Sequence, residues 1–421
     1  MVMVYFDQVR YLEDTLEIAY RDGSLETNRL TASVHGYRFN RDGCWFITSI
    51  QNSSPTDLNI IKAKAMRYLT DRSCGGFAEA ALFKGYIEVG RELPQEDEIV
   101  ELIKNLCDEA KALNSIRCEI IVDMKSMERE IVRENGEIAR EVRKVVEIEV
   151  GLMKLYEASS QIFATNYTAI IPWTKEHVTK TIDMLFRETI NKFNTYSKAR
   201  SLKPYQYGRA NVILGFEAAA ALIHEVSHLL EADYQHSQRL VGSIIASKDF
   251  NVYDSPHDYD SPTIRFFDDE SVSTKKRTLV EDGIVRDLHH TRNTAAVHGS
   301  EPGSAYGLFQ RPIPFHTTLV LRSGDWKEME MVSETREGVY IGGIAMATLE
   351  RGYIRMVPDN SFIIENGEFS EAVKIREVKV PLASLKTISA ISRTPRTRVS
   401  RERGWIIAEK APYVKLEVFV M

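Results

Sequence analysis

Five consecutive residues carry the most specific chemistry in the chain: His224-Glu225-Val226-Ser227-His228. Residues four apart on a helix share one face, one turn apart, so two imidazoles at this spacing reach a single metal ion at about 2.0–2.1 Å. Glu225 follows the first histidine and is close enough to hydrogen-bond a water on that metal. Zinc draws the pKa of such a water toward neutrality and the glutamate accepts its proton, which gives a nucleophile able to attack a peptide carbonyl. The competing structural reading is two histidines that cap or pack on an amphipathic helix.

A catalytic site of this type needs a third protein ligand and an open position. Three candidates follow the motif. Glu231 lies one turn past His228 but still on the expected helix, where reaching the same ion is awkward. His236 sits just beyond that helix and is able to fold back. Asp268 belongs to a compact cluster, Asp268-Asp269-Glu270, otherwise expected as a solvated or hydrogen-bonded turn. The residues leave the third ligand open. His289, His290, His298 and His316, with Tyr306, are further candidates for stabilising an oxyanion.

The motif must be positioned by a chain of 421 residues, 43% hydrophobic and 27% charged, with a net charge of −6. That length suggests two or three domains of roughly 100–200 residues each. The acidic excess argues against nucleic acid or an anionic membrane as partner. No apolar run approaches the roughly 18 residues of a membrane span, and the first twenty residues lack a basic start and a sustained apolar core. A soluble, cytoplasmic protein is expected. All four cysteines, Cys44, Cys74, Cys107 and Cys118, precede residue 119. They are too sparse for a secreted disulfide framework, so reduced thiols are expected, and any site built from the later chain has no thiolate.

Asp22-Gly23, Asp42-Gly43, Asn135-Gly136, Asp282-Gly283 and Asn366-Gly367 stand between alternating segments and predict type I′ hairpins, hence much antiparallel sheet. Three segments predict helices: Glu96 to Leu113, Lys175 to about Ala199, and Glu217 to Asp233, the last carrying the histidines. The Tyr253–Pro262 stretch and the basic run Ser392–Gly404 are expected as exposed loops, with carboxylate or anion binding the alternative for the arginines. The fold class is α+β. A boundary near 200 separates a mixed α/β part (1–200) from a largely antiparallel β part (201–421) carrying the metal helix.

The run from Leu222 to Asp233 resembles the signature helix of the TldD/PmbA family of metallopeptidases. The resemblance continues in order through Phe266 to Thr294, RPIPFHTTLVL, Gly342-Gly343 and SFIIENGEF, with GYRFNRDGCWFITSIQN matching the family's opening region. It implies zinc-dependent cleavage of unstructured peptides in a chamber between two subunits, identical or paralogous, with His224 and His228 as zinc ligands and Glu225 as general base. Its alternative is a non-catalytic TldE/PmbA-like partner of an active paralogue. One residue fewer separates Glu225 from His228 than in the family motif, which restores regular helical spacing. The family takes its third ligand from a cysteine near the C-terminus. Aligned closing strands put that position near Arg398 to Ser400, where this chain has none.

Overall fold

Asp-Gly and Asn-Gly turns between alternating apolar residues set the first layer. The computed structural model describes residues 4–51, 57–113, 116–155 and 161–421. Seven strands make the first sheet: β1 (Tyr5–Arg21), β2 (Ser24–Arg41), β3 (Cys44–Gln51), β4 (Gly85–Val89), β5 (Arg117–Arg133), β6 (Ile138–Leu155) and β7 (Gln161–Ile170). The order is β3-β2-β1-β5-β6, with β4 parallel to Ala139–Arg143 of β6 and β7 antiparallel to Val146–Leu155. Asp22-Gly23, Asp42-Gly43, Asp282-Gly283 and Asn366-Gly367 turn with both residues of each pair at positive φ, as a type I′ turn requires. Asn135-Gly136 differs. Only its glycine has positive φ, and a longer connection is closed by Gly136 N–H donating to the Arg133 carbonyl.

Helix α1 (Leu58–Leu69), which the sequence reading missed, packs Ile61, Ala65 and Leu69 against Phe6 and Phe39. Helices α2 (Glu96–Ala112) and α3 (Lys175–Lys198) match their predicted spans. Together they cover the sheet with Ile99, Ile103, Val178, Ile182 and Phe186 against Ile18, Ile120, Ile148 and Val150. Acidic residues in the first turn of α2 meet the positive end of its dipole, and Thr174 caps α3 by accepting from His177 N–H.

The cysteines correct the expectation of reduced thiols. Cys44 is bonded to Cys74 and Cys107 to Cys118. Their separations of 30 and 11 residues form no recognisable motif, and it is the packing of β3, α2 and β5 that brings them together. Among the described residues no helix is long and apolar enough to cross a membrane.

Beyond residue 200 two further sheets enclose helix α4 (Phe216–His228). One runs from Glu337–Glu350 through Gly208–Leu214 and Val414–Val420 to Tyr353–Glu365; the other ends in Thr318–Leu321, Trp405–Ala411 and, at its edge, Arg396–Glu402. Most pairs are antiparallel, but Thr318–Val320 runs parallel to Ala408–Lys410, as Val339–Ile341 does to Val212–Leu214. Ala218 to Ala221 are buried, and these small side chains let α4 lie close to strands of both sheets. Gly215 precedes the helix where an added Cβ would sit 2.7 Å from the Tyr340 hydroxyl and 3.2 Å from Gly342 Cα. The predicted helix is corrected at its end: it stops at His228, not Asp233. The basic run is corrected too, since Arg396–Glu402 is a strand rather than a loop.

The expected solvated turn at Asp268-Asp269-Glu270 is instead a buried junction, with these residues at most 4% exposed. Arg129 and Arg265 each donate to Asp269 Oδ1 at 2.6 Å, while Arg38, held bidentately by Asp7, donates to the Asp269 carbonyl at 2.6 Å. Buried charges persist only when paired and hydrogen-bonded, and this turn is where β1, β2 and β5 meet the rest of the chain.

Leu222 lies fully buried on α4 among strands of both later sheets. Truncating it to alanine should cost about 2–5 kcal/mol through lost burial and a cavity. Denaturant unfolding checks this, and a loss below about 1 kcal/mol would mean the helix is not packed as described.

Candidate metal centre

The last two turns of α4 put His224 and His228 on one face, ring centroids 4.8 Å apart and nearly perpendicular. What they face comes from the other edge of the structure. Strands Arg396–Glu402 and Trp405–Ala411 form a hairpin whose turn, Arg403-Gly404, has both residues at positive φ. Its tip delivers Glu402. Oε2 of Glu402 stands 2.9 Å from His224 Nε2 and 3.6 Å from His228 Nε2. One donor atom from each of the three residues lies within 4.8 Å of the others. Arg403 holds the other oxygen, Oε1, at 3.1 Å.

This trio fits a divalent metal by a test independent of the motif. Glu402 Oε2 is buried and makes no hydrogen bond, although an imidazole nitrogen is 2.9 Å away. Atoms that lie close but out of line for hydrogen bonding are arranged as ligands converging on a common point. Two imidazoles and a carboxylate are a known donor set for catalytic zinc.

Outside the trio, the Nδ1 atoms meet a second layer. His228 Nδ1 lies 2.8 Å from Glu231 Oε1. His224 Nδ1 lies 2.9 Å from Glu409 Oε1 and 3.2 Å from His316 Nε2. Glu231 is therefore not on the helix, as expected, but beyond it. Its backbone is bridged to His289, with Ala232 N–H donating to the His289 carbonyl. Burial disfavours a charged His224, but Glu402 and Glu409 outweigh it and raise the imidazole to about 9. Burial also opposes ionisation of Glu402, and His224, His228 and Arg403 pull it down to about 2. Burial, reinforced by His224, pushes His316 down to about 3.

Glu225 lies on the same cavity wall. Its Oε2 accepts from the backbone N–H of Leu349 at 2.6 Å. The cavity, about 590 Å³, is lined by His224, Glu225, His228, Glu231, Glu402 and the segment Ala345–Leu349. A second cavity of about 450 Å³ shares Ala345, Arg398, Ser400 and Arg401 with it. The two make a groove between the Glu337–Glu350 and Arg396–Glu402 strands.

The other candidates lie elsewhere. His236 is exposed, with left-handed backbone (φ 69°). Asp268 is spent on a turn, accepting from the N–H groups of Glu270, Val272 and Ala305. Tyr306 is buried under Arg265 and against Phe315 and Trp405. His290 and His298 face each other, ring centroids 5.8 Å apart. Glu402 and Glu409 were not singled out in the sequence. The available signal was Arg403-Gly404, which, like Arg351-Gly352, turns a hairpin without the Asn or Asp that marks the five pairs read from the sequence.

Comparison with known proteins gives the family. The model of the PmbA/TldA metallopeptidase C-terminal domain matches residues 207–419. The chain belongs to the TldD/PmbA family. A metalloprotease of Archaeoglobus fulgidus is 24% identical over 88% of this chain and 88% of its own length. A metalloprotease of Methanocaldococcus jannaschii is 31% identical over 41% of this chain, spanning 40% of that protein. In structure, TldE from Thermococcus kodakarensis superposes with a TM-score of 0.75 over 99% of this chain and 96% of its own, at 14% identity. The strand-rich mixed α/β fold is thus that of this family, and the relatives' names imply a metal ion.

The buried junction at Asp268–Glu270 favours one carboxyl in its protonated form. Burial, then the neighbouring Asp268, pushes the Glu270 carboxyl up to about 8 from 4.5. One oxygen accepts from Arg292 N–H at 2.7 Å and the other has no partner. The folded chain therefore holds a proton that the unfolded chain releases, so this stabilisation is full below pH 4.5 and lost as pH rises through about 8. Glu270→Gln should flatten that loss. Melting temperatures across pH 5 to 9 should show the variant gaining on the wild type as pH rises, and a gap independent of pH would refute it.

Proposed function

We propose that the chain is a zinc-dependent peptidase acting on unstructured peptides, with His224, His228 and Glu402 holding the ion and Glu225 as general base. The observation that carries this reading is the buried, unbonded Glu402 Oε2 beside two imidazole nitrogens. Zinc in such a donor set acts as a Lewis acid and lowers the pKa of water toward neutrality. Glu225 accepts the proton of the attacking water at its carboxylate and returns it to the leaving amine. The Leu349 N–H fixes the position of Glu225 Oε2 on the cavity wall.

The groove supports the substrate class. It lies between two strands, and Arg396–Glu402 pairs on one side only. An extended chain is able to add to such an edge through its backbone, which gives affinity with little demand on side chains. An unstructured peptide offers its whole backbone for such pairing, whereas a folded protein does so only at an exposed sheet edge. The buried α4 helix and the hairpin tip together limit access of bulk water to the histidines, of which His224 is 6% exposed.

Untagged protein loaded with one equivalent of zinc should cleave unstructured peptides and lose activity to chelators. Glu225→Gln should lower turnover by about 10²–10⁴-fold, the contribution of a positioned proton-transfer group, while zinc content stays at one equivalent. If zinc-loaded wild type cleaves nothing until a paralogous chain is added, the non-catalytic partner reading replaces this one.

A further inference from the structure

The Arg396–Ala411 hairpin reaches His224 twice: once at its tip, through Glu402, and once in its stem. Arg398 and Glu409 stand directly opposite each other in the hairpin register. Arg398 Nη1 contacts Glu409 Oε2 at 3.1 Å, and Glu409 Oε1 lies 2.9 Å from His224 Nδ1. Glu409 is fully buried, where a carboxylate survives only against compensating groups. Its two oxygens are divided between them, one facing the guanidinium and one facing the imidazole.

Both neighbours of His224 Nδ1, the Glu409 carboxylate and His316 Nε2, can act as acceptors. A proton on Nδ1 is in hydrogen-bond geometry with His316 Nε2 and faces the Glu409 carboxylate 2.9 Å away, although Glu409 Oε1 makes no hydrogen bond. With the proton on that side, the Nε2 lone pair faces Glu402. His228 repeats the pattern, with Glu231 Oε1 at Nδ1 and Glu402 on the Nε2 side. Two rings with the same polarity, each backed by a carboxylate, is the arrangement by which outer groups orient metal-binding histidines and raise their basicity.

Resting on the reading above, we propose that Glu409 is a positioning residue: clamped by Arg398, it sets the tautomer and ring angle of His224 and so tunes how tightly the trio binds metal. A second ion at His224 Nδ1, His316 and Glu409 is the rival use of the same atoms. It would place two dications on one imidazole, with the only carboxylate there already neutralised by Arg398.

The test is metal binding by the full chain. Zn²⁺ affinity, by competition with a chelator, should fall by about 10–100-fold in Glu409→Gln. The visible spectrum of the Co²⁺-loaded variant should shift, and the melting temperature of the metal-free form should monitor folding. Glu231→Gln, nearer the surface, is the companion variant and should weaken Zn²⁺ binding in the same direction. Glu409→Asp, which keeps the charge but shortens its reach, should recover part of the affinity if it folds. Unchanged affinity and spectrum in folded Glu409→Gln would overturn the proposal. So would two Co²⁺ per wild-type chain with one lost in that variant. If wild type binds no metal at all, the peptidase reading falls and this one with it; if wild type binds and Glu409→Gln binds equally, only this one falls.

Discussion

The approach of one hairpin edge to the last two turns of one buried helix is the constraint on which the rest of the structure depends. Glu402 and Glu409 bring carboxylate charge into a region where neither would be stable alone. Glu409 is fully buried and Glu402 partly so. Their partners come from several elements: His224 and His228 from α4, Arg398 and Arg403 from the hairpin itself. A helix shifted by one residue would rotate both imidazoles about 100° away and leave each carboxylate with its hairpin arginine alone. The small residues Ala218 to Ala221 and the glycine at 215 keep that register by allowing no slack between helix and strands.

The same economy appears at the junction of the first sheet with the rest. Asp269 gathers Arg129 and Arg265 at its side chain and Arg38 at its carbonyl, so three guanidinium groups share one turn. Glu270, next in the chain, is the uncompensated member, with one oxygen lacking a partner. Asp269 is held below the usual carboxylate range although burial opposes it, because Arg265 and Arg129 overcome the desolvation. Glu270, beside another carboxyl and with weaker compensation, moves the opposite way. Adjacent acids thus take opposite charge states because of what each one faces.

Local chemistry was legible in the sequence, and tertiary chemistry was not. The His-Glu-Val-Ser-His spacing identified the helix and the shared face of its two histidines because helical periodicity is a local property. Four Asp-Gly or Asn-Gly pairs foretold their turns for the same reason. The end of α4 was misjudged because Leu229, Leu230 and Ala232 continue a helical apolar pattern; pairing of the Glu231 backbone with His289 wins over that propensity. Glu402 was missed because its turn begins with arginine, a residue that adopts positive φ only where the strands on either side force it. The cysteine pairs were missed because neither spacing predicts a bond that depends on how β3, α2 and β5 pack.

These misses bear on one another. With all four cysteines bonded among β3, the loop after α1, α2 and β5, no thiolate is available to the histidines, and a third donor to an ion held there would be oxygen or nitrogen. The resemblance placed the missing ligand near Arg398 to Ser400, and the structure has Glu402 on that same strand, with Arg398 turned toward Glu409. Successive side chains on a strand alternate faces, so residues 398, 400 and 402 share the face that looks at α4. An arginine at the first of these would repel a cation if it reached the histidines, but its charge is neutralised across the hairpin before it can. One face of one strand thus places a carboxylate at its tip beside both histidines and, through Arg398, holds the second carboxylate behind His224. The hairpin supplies by placement what the rest of the later chain lacks in thiolates.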